Sequence, residues 1–170
     1  ATLRWSEGSW SSYRGFPAAI TFINDRCVYG GTTHQPGTVW LSETGDYENF
    51  EEGVKDADSF KIALMTTNEI RWLNTLDALV VGTSGDEWRI SSNKLDTPLS
   101  PTNYVAKVQS NWGSNELQSI RVNDALLFTD YTSAKLREIV DGGAEKYNTF
   151  NMSALAEHIT LPDGIGAMAF

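Results

Sequence analysis

The run VWLSETGDYENFEEG, Val39 to Gly53, sets five carboxylates behind a Trp-Leu pair, and VVGTSGDEWRI, Val80 to Ile90, sets Asp86 and Glu87 against Trp88. Paired acids beside aromatics are what a glycosidase needs, with two carboxyls about 5 Å apart for retention and somewhat more for inversion. Asp46, Glu48, Asp86 and Glu87 would carry that chemistry. The same residues also build turns: Ser and Gly permit the bend, and Asp accepts a hydrogen bond from its own backbone. Carboxyls on corresponding edges of different repeats would stand too far apart for hydrolysis unless both faced a common axis. Turn chemistry is therefore the expectation, with no catalytic residue.

Other reactive groups are sparse. His34 lies in a polar loop and His158 near the end of an expected short helix, and neither has a second His or Cys at ligand spacing, so no metal or other cofactor is expected. Gly82-Thr-Ser84-Gly85 is one residue short of a nucleophile elbow and precedes a strand rather than a helix. Neither a phosphate-binding nor a dinucleotide-binding glycine motif occurs. The lone Cys27 can form no internal disulfide and reads as a buried, inert thiol. Among the six Trp, Trp40, Trp72 and Trp88 fall on strand positions and read as core. Trp5, Trp10 and Trp112 fall in loop-like segments and are the candidates for contact with a partner, with packing between sheets as the competing role.

The elements that must position these residues repeat along the chain. Ile20-Thr-Phe-Ile-Asn24-Asp25 alternates apolar and polar, turns, and re-enters at Cys27-Val28-Tyr29. Ile70-Arg-Trp72-Leu-Asn74 leads through Asp77 into Leu79-Val-Val81, and Ile120-Arg-Val122-Asn123-Asp124 into Leu126-Leu-Phe128. Ile165-Gly-Ala-Met168 starts a fourth copy. The starts recur about every 50, 50 and 45 residues, a period that fits propeller blades. Period-2 alternation marks half-buried strands and Asn-Asp favours a tight hairpin turn. Third strands follow at Val39–Leu41, Trp88–Ile90 and Leu136–Ile139. Phe60–Leu64 and Tyr104–Val108 supply a fourth strand for two of the copies. The expected fold is all-β and β-propeller-like over residues 1–170, with about three four-stranded blades, the start of another, and one short helix near residues 153–159. A twisted β-sandwich is the alternative.

The bulk numbers bound the function. With 170 residues the chain can bury a real core. A formal net charge of −9 argues against a surface that grips a phosphate backbone or an anionic membrane. No apolar run is long enough to cross a bilayer as a helix. The chain lacks an initiator Met and ends on GIGAMAF, so a fragment of a longer protein is expected.

Several blocks resemble a known family. Trp5-Ser-Glu7, Gly15-Phe-Pro-Ala18, Asp25 to Thr32, Gln35-Pro36 and Val39 to Phe50 are similar to tailed-phage and prophage tail structural proteins, the nozzle or tail tubular protein B family. Ile70 to Leu73, Leu79 to Trp88, Thr97-Pro98 and Met152 to Ile159 extend the resemblance over nearly the whole chain. The Ser84-Gly-Asp-Glu-Trp88 run is also similar to structural turn motifs of sialidase-like propellers, where they do no chemistry. The family resemblance implies a non-catalytic virion tail component made in the bacterial cytoplasm. It implies a ring around the DNA channel, with self and other tail or portal proteins as partners and DNA passing through unbound. An acidic lumen suits that role, since it would not condense onto phosphates. The alternative function is a glycan-binding or glycan-hydrolysing propeller for host recognition, using Trp5, Trp10 and Trp112.

Overall fold

The computed structural model describes residues 8–94, 97–161 and 163–170. Among the described residues, twelve strands form three four-stranded antiparallel sheets, each a meander in chain order. Sheet 1 holds β1 (Ala19–Ile23), β2 (Arg26–Gly30), β3 (Thr38–Leu41) and β4 (Phe60–Ala63). Sheet 2 holds β5 (Ile70–Thr75), β6 (Leu79–Thr83), β7 (Glu87–Ser91) and β8 (Val105–Ser110). Sheet 3 holds β9 (Ile120–Val122), β10 (Ala125–Thr129), β11 (Leu136–Asp141) and β12 (Tyr147–Asn151). Sheets 1 and 2 meet mainly through their first strands, β5 against β1, and sheets 2 and 3 through both first and last strands, β9 against β5 and β12 against β8. This is the stacking order of propeller blades, and the sheets do not close into a barrel.

The hairpin turns follow from local chemistry. Asn24 and Asp25 link β1 to β2 at φ of 49° and 54°, the left-handed pair that a two-residue hairpin requires and that Asn and Asp tolerate best. In the β9–β10 turn only the first residue, Asn123 at φ 55°, takes the left-handed conformation. The Asn74–Asp77 turn is longer: Thr75 pairs with Leu79, and Leu76 donates to the Ala78 carbonyl at 3.0 Å.

Sheet 2 lies between the other two, which explains why every residue of β6 is buried. Side chains alternate across a strand. Leu79 and Val81 join Val28, Val39, Leu41, Ile62, Leu73 and Ile90 in the core between sheets 1 and 2. Val80 points the other way, joining Trp72, Leu126, Phe128, Ile139 and Tyr147 between sheets 2 and 3. The three strand tryptophans Trp40, Trp72 and Trp88 are buried, as their positions in the alternation require.

Three details differ from the sequence expectation. Sheet 3 has a fourth strand, β12, which the run Tyr147-Asn-Thr-Phe-Asn151 hides behind two Asn residues of low strand propensity. The helix α1 spans Glu157–Thr160 rather than starting at residue 153. Ser153 is occupied elsewhere: its hydroxyl donates to Asn151 Oδ1 at 3.0 Å and accepts from the Leu136 N–H at 3.2 Å. It therefore closes the edge of sheet 3 instead of capping a helix. Residues 164–170 form no strand. The Ile165 N–H instead donates to the Ser133 carbonyl at 2.7 Å, laying the chain end over the β10–β11 loop.

The sheet 2–sheet 3 core depends on a missing side chain. A Cβ at Gly82 would lie 2.1 Å from Trp72 Cε2, so the indole occupies the space a larger residue would need. Gly82→Ala should destabilise the protein by about 2 kcal/mol or more, because the overlap meets a rigid ring in a packed core. Urea denaturation followed by Trp fluorescence measures this. An unchanged midpoint would mean the ring has room to move.

Candidate functional site

The acidic stretches are the natural place to look for chemistry, and their carboxylates are bound into the fold. Asp86 accepts from Thr83 Oγ1, from Trp88 Nε1 at 2.7 Å and from Asn68 Nδ2 at 3.1 Å. It ties the β6–β7 hairpin to the segment before β5. Asp46 Oδ1 accepts the Glu48 N–H at 3.3 Å beside Gly45 at φ 78°, and Glu43 accepts from Asn49 Nδ2 at 2.6 Å. Both stretches are turns, as expected from their composition.

Glu87 goes further than a turn residue. It pairs with Gly82 across the regular β6–β7 ladder, so alternation sets it on the face toward sheet 3, where it is fully buried. Its carboxylate accepts from Ser110 Oγ at 2.6 Å, Ser114 Oγ at 3.1 Å and the Trp112 N–H at 3.3 Å. It thereby pins the loop after β8 to β7. Burial pushes this carboxyl above the usual range, against the pull of those three donors. Sequence reading marked the residue for its type but had no signal for its depth.

A second polar group bridges sheets 2 and 3. Asp77, on the exposed β5–β6 turn, pairs with the buried Arg89 at 2.7 Å and accepts the hydroxyl of the buried Tyr147, and Arg89 lies over the Tyr147 ring. Burial would raise Asp77, but the Tyr147 and Arg89 hydrogen bonds outweigh it and hold its carboxyl below the ordinary value. Burial and the neighbouring Asp77 push the Tyr147 phenol well up.

The candidate partner-contact tryptophans separate. Trp5 lies outside the described residues. Trp10 packs edge-on against Tyr29, Trp40 and Phe50, with centroids 5.1, 5.8 and 4.9 Å away. It covers the outer face of sheet 1 over β2 and β3. Trp112 is half exposed, with the Arg137 guanidinium 3.7 Å above its ring. The structure thus brings Trp112 to Glu87 and Arg137 but places Trp10 on the opposite side of the stack. His34 stacks on Tyr13, and burial pushes the Cys27 thiol up, toward the unreactive neutral form. Among the described residues there is no cluster of His, Cys, Asp and Glu that could hold a metal ion, and no helix long and apolar enough to cross a membrane.

What remains open is a surface. The outer face of sheet 3 presents Val122, Leu127, Val140 and Met152 around Glu138, lining a shallow groove of about 480 Å3. Phe150, paired across from Glu138, is 52% exposed beside them. In the repeat, Leu127 occupies the position of Val28 and Val80, and both of those are buried against the following sheet. No family model matches the chain, and no curated protein matches it.

Glu87 gives a measurable signature. Because its folded value is raised, the stability it lends is intact below the ordinary glutamate range and falls as pH rises through the folded value. Glu87→Gln keeps a carbonyl for the Trp112 N–H and has no charge to desolvate. The variant should match wild type near pH 4 and become the more stable of the two toward pH 7, with a gap growing by at most about 1.4 kcal/mol per pH unit. Thermal melts across that range test it, and parallel curves would show that Glu87 does not titrate differently on folding.

Proposed function

We propose that this chain is a structural, non-catalytic component of a phage or prophage tail, of the nozzle type, contributing a stack of β-sheets to a ring around the DNA channel. The observation that carries the reading is the use of the acidic turns: the residues best suited by type to hydrolysis are spent holding hairpins and sheets together. The resemblance of the Asp25 to Thr32 and Val39 to Phe50 blocks to tail nozzle proteins supplies the setting. The net charge of −9 supports a channel wall along which DNA slides without ion-pairing. The self and portal contacts of such a ring would use faces rather than pockets.

A host-glycan role finds less support. Trp10 is engaged with three rings of its own chain, and Trp112 has one face taken by Arg137, which leaves little aromatic platform for a sugar. An antibody to this chain should decorate the tail of the virion in negative stain. Label on the capsid shell, or on no part of the particle, would overturn the assignment.

A further inference from the structure

We infer that Arg137 and Trp112 form a binding site for a carboxylate group. Arg137 belongs to β11 and Trp112 to the loop that joins β8 to β9, so the site lies where sheet 2 meets sheet 3. It stands independently of the tail assignment.

Arginine is almost never fully buried without a partner, and two of the buried arginines obey that rule. Arg26 donates to the carbonyls of Ser42, Asp56 and Asp58. Arg89 donates to Ser91 Oγ at 2.8 Å and to Asp77 at 2.7 Å. Arg137 is only 5% exposed, yet it makes no hydrogen bond and no ion pair among the described residues. In all three the Nε is enclosed and unpartnered, so what sets Arg137 apart is its idle Nη fork. Those two nitrogens, unlike Nε, are not sealed from solvent. One donor edge of a buried cation is therefore open and unused.

The indole is built into place beside that edge. Arg137 Cζ lies 3.7 Å from the centre of the Trp112 ring, which closes one face of the guanidinium and leaves its edge as the approach. The Trp112 N–H donates to Glu87, whose carboxylate also takes Ser110 and Ser114. Gly113 sits at φ 70°, and a Cβ there would come 2.5 Å from the Ser84 carbonyl oxygen. The Ser114 N–H donates to the Thr83 carbonyl at 2.8 Å. A loop pinned at three successive residues needs no ordering when a ligand arrives. Trp and Arg are also the side chains most enriched at binding hot spots.

Two buried carboxylates stand on the elements around Trp112, and neither pairs with Arg137. Both oxygens of Glu87 are engaged by the loop. Asp130, bridged to Ser114 through the backbone, is held by the Thr132 hydroxyl at 2.6 Å and the Lys135 N–H at 3.3 Å. The fork is left for an oxyanion that these elements do not supply. A carboxylate matches it, because two oxygens in one plane accept two parallel N–H···O bonds. Phosphate offers the same oxygen pair but more negative charge, and it would approach Glu87 and Asp130 in a chain of net charge −9.

NMR of the arginine Nε–H groups in the whole chain reads the site directly, with the Trp112 indole N–H as a second probe. Arg137→Lys identifies the first signal by its loss and Trp112→Phe the second, with far-UV circular dichroism as the control for folding. Sodium acetate should shift both signals with one saturable midpoint, on the order of 10 mM. Sodium chloride at the same ionic strength should not. In Arg137→Lys, whose ammonium cannot bind both oxygens at once, acetate read at Trp112 should bind about 10-fold more weakly. If that variant does not fold, the Trp112 signal of the wild type carries the test. No saturable shift, or one that chloride or phosphate reproduces at equal concentration, overturns the inference and leaves Arg137 as packing against the indole. Two peptides separate the sources of the carboxylate, one ending in a free carboxylate and one amidated with an internal Asp. Tighter binding than acetate by the first names a chain terminus, by the second a side chain, and by neither a small free acid; each upholds the site.

Discussion

A four-stranded antiparallel meander has two faces and can bury neither of them by itself. In this molecule that constraint is met by stacking sheet on sheet, and the rest of the structure follows from it. Sheet 2 is buried on both sides, so β6 is buried at every position rather than alternately, and Val80 and Val81 serve different cores one residue apart. Trp72 can fill the second core only because β6 has no side chain at Gly82. Gly30 plays a similar part between sheets 1 and 2, where a Cβ would press on Ile70 and Leu73 at 3.0 Å.

Stacking also decides where polar groups end up. Arg26 is almost wholly buried beneath the long β3–β4 connection, and its guanidinium donates to the carbonyls of Ser42, Asp56 and Asp58 while lying over the Phe60 ring. Burial pulls its ionisation down, and Asp58 and Glu43 partly restore it. Glu87 does the corresponding work for the loop after β8, and the Asp77–Arg89–Tyr147 group does it between sheets 2 and 3. A buried polar group left unpaired costs about 1–3 kcal/mol, so each of these specifies one arrangement of loop on sheet. The acid-rich stretches, expected from the sequence to be turns, are held in place by the same rule.

The two ends of the stack are finished differently. At the first sheet, Trp10 and Phe50 cover Tyr29 and Trp40, in the manner of a cap on a repeat array. At the last sheet, the chain after α1 turns back over the β10–β11 loop and leaves the outer face bare.

Much of this was written in local pattern. The three hairpins, their turns at Asn24-Asp25 and Asn123-Asp124, the burial of Trp40, Trp72 and Trp88, and the turn role of Asp46 and Asp86 all follow from alternation and turn chemistry. These depend on neighbours within a few residues. The sequence also announced the repeat, because each copy must present the same faces to its neighbours. What it could not announce depends on distant partners. Strand β12 forms because β11 offers an edge, although Asn148 and Asn151 disfavour it. Ser153 leaves its expected helix to accept the Leu136 N–H of β11, and Glu87 stays buried because Ser110 and Ser114, more than twenty residues away, donate to it. Trp10 and Trp112 were indistinguishable as loop tryptophans, yet one became a cap and the other the floor of an arginine. Local sequence fixes which face a side chain takes on its own strand, but only the packing of one sheet on another decides whether that face meets protein or solvent.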